Sequence, residues 1–426
     1  MNDIRALALP LRTADDLDPL LERIGDARIV LIGEASHGTS EYYAWRATIT
    51  RRLIEELGFG LVAVEGDWPD CYEVNRTVRL RPGARHAPRE VLDGFDRWPT
   101  WMWANQEVVE FTEWLQQWNA RLSEDERVGF YGLDVYSLWD SMREVLGYLR
   151  EHEPEHVEQA VRAMRCFEPY GEDGQSYAFA SSFSPRSCER AVVDLLSRLC
   201  SERATRADGD DPEARFSAEQ NAAVAAGAER YYRAMIGGSE QSWNVRDVHM
   251  ADTLDRLLEF HGAKAVVWEH NTHVGDARAT DMAAAGMVNV GQLARERHGV
   301  DDVVIVGFSG HRGRVIAGDA WGAPMRRIPL PPARAESVEA LVHEHVGTDA
   351  LFIFPPDAPA PWLDRLDHRA VGVVYSPSRE RWGNYVPSVM ARRYDALLHF
   401  EETRALRPLH LEPEQPGEQQ TWPYAV

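Results

Sequence analysis

The sequence predicts an α/β protein with a mixed or parallel central sheet, flanked by helices and with a helical cap inserted over the C-terminal ends of the strands. Short apolar runs alternate with helical segments along most of the chain, which is typical of a sheet covered by helices. Several runs end abruptly at His or carboxylate residues, and open α/β sheets place their chemistry beyond the strand carboxyl ends. One internal stretch, residues 151–241, lacks strand signals altogether.

The first two apolar runs introduce much of the candidate chemistry. Residues 27–32 are followed by Glu34 and His37, and residues 61–64 are followed by Glu65. Runs this short between helical segments are typical of buried parallel strands. One interpretation is that the acids only cap the helices that follow. Two neighbouring strand ends that release acids, one of them with a histidine, favour an acid–base site.

Strand candidates continue along the chain. Asp134 ends the next run, and His270 and His273 follow the one after it. Residues 42–57 carry apolar side chains at three-to-four spacing, which predicts a helix between the first two strands. The later apolar runs are residues 128–133, 265–268, 303–308, 351–354, 371–375 and 397–400.

Composition limits the class of partner. The chain has 426 residues and a formal net charge of −22, so nucleic acid and membrane partners are not expected, because both favour a basic surface. The sequence has no apolar stretch long enough to span a membrane and no signal-peptide core. We therefore expect a cytoplasmic monomer or homodimer that binds a small molecule with apolar surface. The four cysteines form no C-x-x-C pair, which favours incidental thiols over a disulfide framework.

The chain divides into four predicted segments. Residues 1–150 and 242–411 are the two parts of the α/β core, and residues 412–426 are a mobile tail rich in Pro, Glu and Gln. Residues 151–241 are a helical insertion. The insertion covers the strand ends as a cap, or it serves as an oligomerisation element, and the sequence leaves both alternatives open.

Tryptophans are concentrated in the first third of the chain. Three lie within residues 98–103, and Trp68, Trp114 and Trp118 flank them. They are either core aromatics or an aromatic wall for a bulky apolar ligand. The candidate substrate-binding residues are Asp67, Trp68, Asp134 and Arg246.

The common catalytic signatures are missing. Ser309 lies in G-F-S-G-H, which lacks the last Gly of G-x-S-x-G, and Ser36 has Glu34 where the first Gly belongs. The nucleotide-binding Gly motifs and H-E-x-x-H are also absent. His343 and His345 are two residues apart and so lie on opposite sides of a predicted helix, which favours a solvated helical face over a ligand pair.

The remaining candidates support two interpretations. In the first, histidines act as general bases, because the ordinary pKa of imidazole lies near neutrality and carboxylates can stabilise its charged form. In the second, His37, His270, His273 and a carboxylate bind a divalent metal. Isolated structural histidines are a third alternative, disfavoured by the clustering at strand ends. The residues concerned are Glu34, His37, Glu65, His270 and His273.

Five motifs of the chain together match one known family. They are Gly33-Glu34-Ala35-Ser36-His37-Gly38, Val64-Glu65-Gly66-Asp67-Trp68, Trp243-Asn244-Val245-Arg246-Asp247, His270-Asn271-Thr272-His273 and Tyr394-Asp395-Ala396. With these motifs the sequence closely resembles the erythromycin esterase family, in the right order from about residue 9 to residue 411. The resemblance implies an α/β fold with a helical portion over a deep cleft. It also implies metal-independent hydrolysis, in which a histidine-activated water attacks a lactone carbonyl.

The resemblance also implies roles for individual residues. His37 would be the general base, oriented by Glu34 and Glu65. Arg46 would hold Glu65 or offset the negative charge of the site. The two remaining histidines would polarise the carbonyl, protonate the leaving alcohol, or both. The six catalytic candidates are Glu34, His37, Arg46, Glu65, His270 and His273.

Two departures from the family bear on the substrate. Glu269 precedes His270 where the macrolide enzymes tend to have a small residue, and Gly-Asp-Trp at residues 66–68 differs from their sequence. We therefore expect a hydrolase of an ester, lactone or related acyl bond that needs no metal or other cofactor, without a firm macrolide assignment. The alternatives are a metal-dependent hydrolase, a metal- or haem-binding protein, and a tailoring enzyme that uses the same groups for cyclisation or elimination.

Overall fold

The computed structural model describes residues 4–171, 174–183, 187–201, 211–235 and 239–410. Within these residues a nine-stranded mixed sheet is flanked by helices, and a separate two-stranded sheet lies apart from it. This arrangement confirms the predicted α/β fold class. The predicted mobile tail, residues 412–426, lies outside the described residues, and the other segment boundaries remain predictions.

Eleven strands are present in the described parts of the chain. They are β1 (Ala8–Pro10), β2 (Ile29–Ile32), β3 (Phe59–Asp67), β4 (Gly129–Asp134), β5 (Lys264–Trp268), β6 (Val303–Ala317), β7 (Arg326–Leu330), β8 (Ala350–Ile353), β9 (Arg365–Arg369), β10 (Tyr385–Val389) and β11 (Ala396–Thr403).

Sixteen α-helices, several of them a single turn, connect these strands within the described residues. They are α1 (Asp18–Ile24), α2 (Ser40–Leu57), α3 (Trp68–Val78), α4 (Pro88–Leu92), α5 (Gln106–Asn119), α6 (Leu138–His152), α7 (Val157–Phe167), α8 (Gly174–Phe183), α9 (Glu189–Ser201), α10 (Pro212–Met235), α11 (Ser239–His261), α12 (Asn271–Val274), α13 (Val290–His298), α14 (Val338–His345), α15 (Glu380–Gly383) and α16 (Met390–Arg393).

The order of strands in the large sheet is β1-β8-β11-β6-β2-β5-β3-β4, with β7 paired to the far half of β6. The six strands from β11 to β4 run parallel, whereas β1, β7 and β8 pair antiparallel. Strands β9 and β10 form the small antiparallel sheet. Because β2, β5, β3 and β4 are parallel neighbours, their carboxyl ends meet at one edge.

The parallel strands are buried on both faces, which explains their unbroken apolar sequence. Val30 and Ile32 pack into a core shared with α2 and α5. Ile29 and Leu31 point to the opposite face and pack with α11, α13 and α14. The alternation follows from the two-residue period of a strand, and it fixes which residues after each strand can enter a cleft.

Helices occupy the described residues of the region between 151 and 241, as predicted. Helices α6 to α10 form a third apolar cluster among themselves. Helix α10 also joins this cluster to the sheet, because Phe216 and Val224 pack into the core behind β3 and β5. None of the described helices is both long and apolar enough to span a bilayer.

Two sequence expectations are wrong at the level of structure. Residues 371–375 form no strand, because their backbone makes only single bridges, from Val371 to Ser36 and from Val374 to Gly318. Cys166 and Cys188 form a disulfide bond instead of remaining thiols. The bond spans 22 residues and depends on the packing of α7 against α9, which no local cysteine spacing could indicate.

Candidate active site

The strand register brings the predicted acids and histidines to one edge of the sheet. Ile32 of β2 and Val64 of β3 both align with Trp268 of β5, and Asp67 of β3 aligns with Asp134 of β4. The residues just beyond these positions are buried around a single cleft. The predicted grouping at strand ends is therefore present in the structure.

His37 is held by a buried relay that begins at Arg46. The Nδ1 atom of His37 donates to Glu34 at 2.9 Å. The other carboxylate oxygen of Glu34 lies 3.0 Å from the guanidinium of Arg46, which is packed 4.1 Å from the ring centre of Tyr43. Arg46 therefore pairs with Glu34, and the expectation that it holds Glu65 is wrong.

The glycine of the G-E-x-x-H motif and the asparagine of H-N-x-H belong to one structural feature. A Cβ atom on Gly33 would lie 2.1 Å from the side-chain oxygen of Asn271. That asparagine accepts from the backbone N–H of Phe308 at 3.2 Å and donates to its carbonyl at 2.7 Å. Gly33 thus permits the close approach that ties the histidine loop to β6.

Glu65 is bound to the guanidinium of Arg246 and to the loop after β5. Its carboxylate accepts from Arg246 at 2.7 Å and from the backbone N–H of His270 at 2.8 Å. Burial alone would raise the pKa of Glu65, but the charges of His273 and Arg246 outweigh it and lower that pKa. Glu65 is therefore ionised. It acts on His37 through its charge, whereas its described hydrogen bonds are to Arg246 and His270.

Arg246 also neutralises a second acid. Its Nε and Nη2 atoms donate to the two oxygens of Asp134 at 2.9 and 2.6 Å. Burial would raise the pKa of Asp134, but Arg246 lowers it. One guanidinium thus compensates two buried carboxylates at adjacent strand ends.

Hydrogen bonds engage both ring nitrogens of His273. Nδ1 lies 2.9 and 3.0 Å from the oxygens of Asp247. Nε2 lies 3.1 Å from Arg246 and 3.5 Å from Glu65. Burial lowers the pKa of His273, but Asp247 and Glu65 outweigh burial and raise it. The ring also stacks on Trp243, with 4.5 Å between centroids, so its orientation is fixed.

His270 presents a donor that no described protein atom uses. Its Nδ1 accepts from the backbone N–H of Thr272 at 3.3 Å, so the ring proton belongs on Nε2. Nε2 is buried and has no hydrogen-bond partner in the described part of the chain. The ring centre lies 4.8 Å from that of His37. Burial and the neighbouring His37 lower the pKa of His270 well below its usual value, which keeps the ring neutral.

Glu269 is the one site acid whose two oxygens are both buried without a hydrogen-bond partner, counting described residues alone. Burial, followed by the charges of Glu65 and Asp247, raises its pKa well above 4.5. Burial and these like charges therefore favour the protonated form of the Glu269 carboxyl group.

The Glu269→Gln variant is expected to be more stable than the wild type, by a margin that grows as pH rises. In the folded state the raised pKa favours the protonated carboxyl, so its contribution to stability is fully present below about 4.5 and is lost at higher pH. The amide cannot ionise and avoids that loss. Denaturant unfolding from pH 5 to pH 8 should show the variant gaining on the wild type with pH. A difference independent of pH would contradict a raised pKa for Glu269 in the folded state.

The histidines open into a cavity of about 510 Å³. Of the tryptophans in residues 98–103, Trp98 and Trp103 line it, whereas Trp101 lies in the core. Trp114 and Trp118 pack against the same core. The core interpretation is therefore confirmed for Trp101, Trp114 and Trp118, whereas a ligand wall formed by Trp98 and Trp103 stays a prediction. The large apolar and aromatic lining residues are Phe95, Trp98, Met102, Trp103, Tyr136, Tyr231, Trp243, Met282, Met287, Trp321 and Tyr385.

Three of the four candidate substrate-binding residues line this cavity. Asp67, which forms an ion pair with Arg97, lies there with Asp134 and Arg246. Trp68 does not line the cavity. Its ring is buried in the core beside α10, and its Nε1 donates to Ser217 of that helix at 3.1 Å. As the first residue of α3, it faces away from its neighbour Asp67, so Trp68 is a core residue.

Sequence reasoning missed several residues that shape the site. Asp247 and Trp243 fix His273, and Thr272 fixes the tautomer of His270. The signal for the first two was present, because positions 243, 246 and 247 share one face of a helix by their three- and four-residue spacing. Arg97 carries no comparable pattern.

Ser309 has a histidine partner but lies outside the cleft. Its Oγ is 2.8 Å from Nδ1 of His399. Both residues are fully buried between strands, and neither lines the cavity. The pair therefore lacks the access that a serine nucleophile needs.

The fold and the cleft together define an α/β protein with a buried His/Glu site at the strand carboxyl ends. The erythromycin esterase family model matches residues 54–403, so the chain belongs to the erythromycin esterase family. Family membership indicates a hydrolase. An erythromycin esterase type II from Escherichia coli is 29% identical over 121 residues, which is 28% of this chain and 26% of that protein.

Solved structures share the fold over nearly the whole chain. A Bacillus cereus protein has a TM-score of 0.79 at 18% identity, covering 96% of this chain and 98% of its own. A succinoglycan biosynthesis protein has a TM-score of 0.76 at 20% identity, covering 95% and 97%. A mutant of the erythromycin esterase EreC in its open conformation has a TM-score of 0.68 at 16% identity, covering 92% and 95%. At these identities the similarity concerns the fold alone.

Proposed function

We propose that the protein hydrolyses an ester, a lactone or a related acyl bond by means of a water molecule activated by His37, with neither a metal ion nor a covalent intermediate. One observation carries this proposal. His37 lines the cavity while Glu34 occupies its Nδ1 atom, so Nε2 is the nitrogen left to meet a water. Family membership supports the reaction class, and the geometry supports the roles.

In the first step, Nε2 of His37 takes a proton from water as the oxygen attacks the substrate carbonyl. The imidazolium that forms is stabilised by the carboxylate of Glu34, 2.9 Å from Nδ1. Arg46 lies 3.0 Å from the other oxygen of that carboxylate and holds it in place from the other side. A positioned general base contributes on the order of a hundredfold to ten-thousandfold in rate.

The tetrahedral intermediate carries a negative oxygen, and His270 is the donor next to it. Its Nε2–H is buried and unpartnered within the described residues, and its ring adjoins His37. An oxyanion in this place would take that hydrogen bond. A donor of this kind is worth on the order of 3 kcal/mol in the transition state.

In the last step, the carbon–oxygen bond breaks and the leaving alcohol takes back the proton held on His37. The products are a carboxylic acid and an alcohol, and the histidine returns to its neutral state. Arg246 and His273 form the wall behind this exchange, and both are held by carboxylates. Through their described contacts, these two residues would hold Glu65 and the histidine loop in position.

The hydrogen bonds of the site favour this proposal over a metal-dependent one. His273 is engaged at Nδ1 by Asp247 and at Nε2 by Arg246, and His37 is engaged at Nδ1 by Glu34. A metal held by His37, His270 and His273 would require the arginine to move out of the site. A guanidinium at this position also repels a cation.

Hydrolysis of a panel of aryl esters and lactones tests the proposal. Purified protein should release acid from at least one member, retain that activity in chelator, and resist stoichiometric labelling by a fluorophosphonate. Activity that disappears in chelator and returns with added Mn²⁺ or Zn²⁺ would favour the metal-dependent alternative. Stoichiometric labelling would identify a serine nucleophile and contradict the activated-water mechanism.

The substrate is expected to carry considerable apolar surface. Aromatic side chains make up much of the cavity wall. The buried Glu269 and Asp67, which is paired with Arg97, occupy positions where the sequence departs from the macrolide enzymes. We therefore expect slow or absent opening of 14-membered macrolides. Mass spectrometry of erythromycin after incubation checks this, and efficient ring opening would contradict it.

A further inference from the structure

We propose that His311, His343 and Glu401 form a binding site for a divalent transition metal, separate from the cleft. The three residues come from β6, α14 and β11. One ligand atom from each lies within 4.8 Å of the others. None of the three lines the cavity. The proposal is independent of the proposed hydrolase activity, because it rests on different side chains.

The backbone brings these side chains together. Strands β6 and β11 pair in parallel, with Phe400 opposite Gly310 and Glu402 opposite Arg312, so Glu401 lies level with His311. Helix α14 crosses the same part of the sheet through the core residues Val338 and Val342. This packing delivers a histidine from the helix to a carboxylate and a histidine from adjacent strands.

The side chains are already close to a shared point. Nδ1 of His343 lies 2.6 Å from a carboxylate oxygen of Glu401. The rings of His343 and His311 lie 3.9 Å apart and are nearly parallel, at 7°. His343 is exposed, whereas His311 is 5% exposed. Because the lone pairs of an imidazole lie in the ring plane, the exposed ring of His343 would tilt out of this stack so that both imidazoles reach one ion that enters from solvent.

Two buried atoms in this group lack partners. Nδ1 of His311 and Oε2 of Glu401 make no hydrogen bond in the described part of the chain. A buried polar atom left unpaired is costly and needs an explanation. A metal ion would bind a lone pair on each of these two atoms. The hydrogen bond between His343 and Glu401 leaves both of them unpaired.

The surrounding charges do not oppose a cation. The guanidinium of Arg369, which donates to the backbone oxygen of His311, is paired with Glu380 at 2.6 Å. Arg312 is paired with Glu402 at 3.4 Å. Both neighbouring arginines therefore have a carboxylate of their own, and the charge of Glu401 remains for the ion.

The donor set indicates which metals would bind. Two imidazoles and one carboxylate suit Zn²⁺, Ni²⁺ and Cu²⁺, whereas Mg²⁺ and Ca²⁺ prefer oxygen ligands throughout. Three protein ligands leave a fourth position for water. The ion would join α14 to two strands of the sheet, so its expected effect is on stability.

Titration of the metal-free full-length protein with Zn²⁺ and Co²⁺ tests the site. Calorimetry should show Zn²⁺ binding at this site, Tm should rise with Zn²⁺ because the ion binds the folded state preferentially, and Co²⁺ should give visible absorption bands. His343→Ala should weaken this binding at least about tenfold and abolish the rise in Tm. His345→Ala, on the same helix but outside the cluster, is the matched control and should behave as the wild type.

Each outcome decides the proposal. Zn²⁺ affinity and a Tm response that are equal in His343→Ala and the wild type would overturn it, since the ion would then bind elsewhere. Absence of binding at submillimolar Zn²⁺ would also overturn it and leave the group as a stacked pair with a surface ion pair. Glu401→Gln gives a second check, because it keeps the hydrogen bond to His343 but removes the carboxylate charge.

Discussion

Replacing His37 with Ala or Asn is expected to lower kcat/KM on any hydrolysed ester or lactone by at least about a hundredfold. His37 is the residue proposed to deprotonate the nucleophilic water, and its Nδ1 is fixed by Glu34 in a buried relay that ends at Arg46. The loss should fall mainly on kcat, because the ring acts on the reacting water. Steady-state kinetics on the best substrate of the panel measures it.

Ser309→Ala is the matched control. Ser309 is bonded to a histidine, as a catalytic serine would be, but it is fully buried and outside the cavity. Most activity should remain. If Ser309→Ala abolished turnover while His37→Asn retained it, and both variants unfolded at the wild-type temperature, the assignment of the general base would be wrong.

Glu34→Gln separates orientation from proton transfer. The amide can keep a hydrogen bond to Nδ1 of His37 but removes the charge that stabilises imidazolium, and it leaves Arg46 without its carboxylate. Turnover should fall nearly as far as in the His37 variants. A loss that appears in kcat and not in KM would fit a residue that acts through His37 and not through substrate binding.

Strand ends could be predicted from the sequence because apolar runs mark where each buried strand begins and ends. A parallel strand buried on both faces reads as an unbroken apolar run, and such runs stop where the backbone leaves the sheet. The register of β2, β5 and β3 then places Glu34, Glu65 and His270 at one edge. The fold class and the grouping of site residues follow from this alone.

The identity of partners could not be predicted, because it depends on side-chain direction after each strand. From the sequence, Arg46 could pair with either Glu34 or Glu65. Only the packing of α2 against the sheet directs it to Glu34. Trp68 follows a site residue, yet the first turn of α3 sends it into the opposite core. The segment 371–375 has strand composition but meets only single backbone bridges.

Replacing Arg246 with Met is expected to lower the free energy of unfolding at pH 7 by about 3–5 kcal/mol, the range for breaking a buried ion pair. The variant leaves Glu65 and Asp134 without the guanidinium that now lies 2.7 and 2.6 Å from them. Denaturant unfolding measures the change. Arg162→Gln is the control, because Arg162 forms an exposed ion pair with Glu158 and its loss should cost less than about 1 kcal/mol.

The pH dependence of that loss identifies its cause. Glu65 and Asp134 have folded-state pKa values below their ordinary 4.5 and 3.8, so their contribution to stability is present above those values and is lost as pH falls. Without Arg246 the contribution is absent at neutral pH as well. The difference between wild type and variant should therefore be largest near pH 7 and narrow below about pH 4. A difference in the free energy of unfolding that stays constant down to about pH 2 would mean that Arg246 stabilises the fold by packing and not by charge.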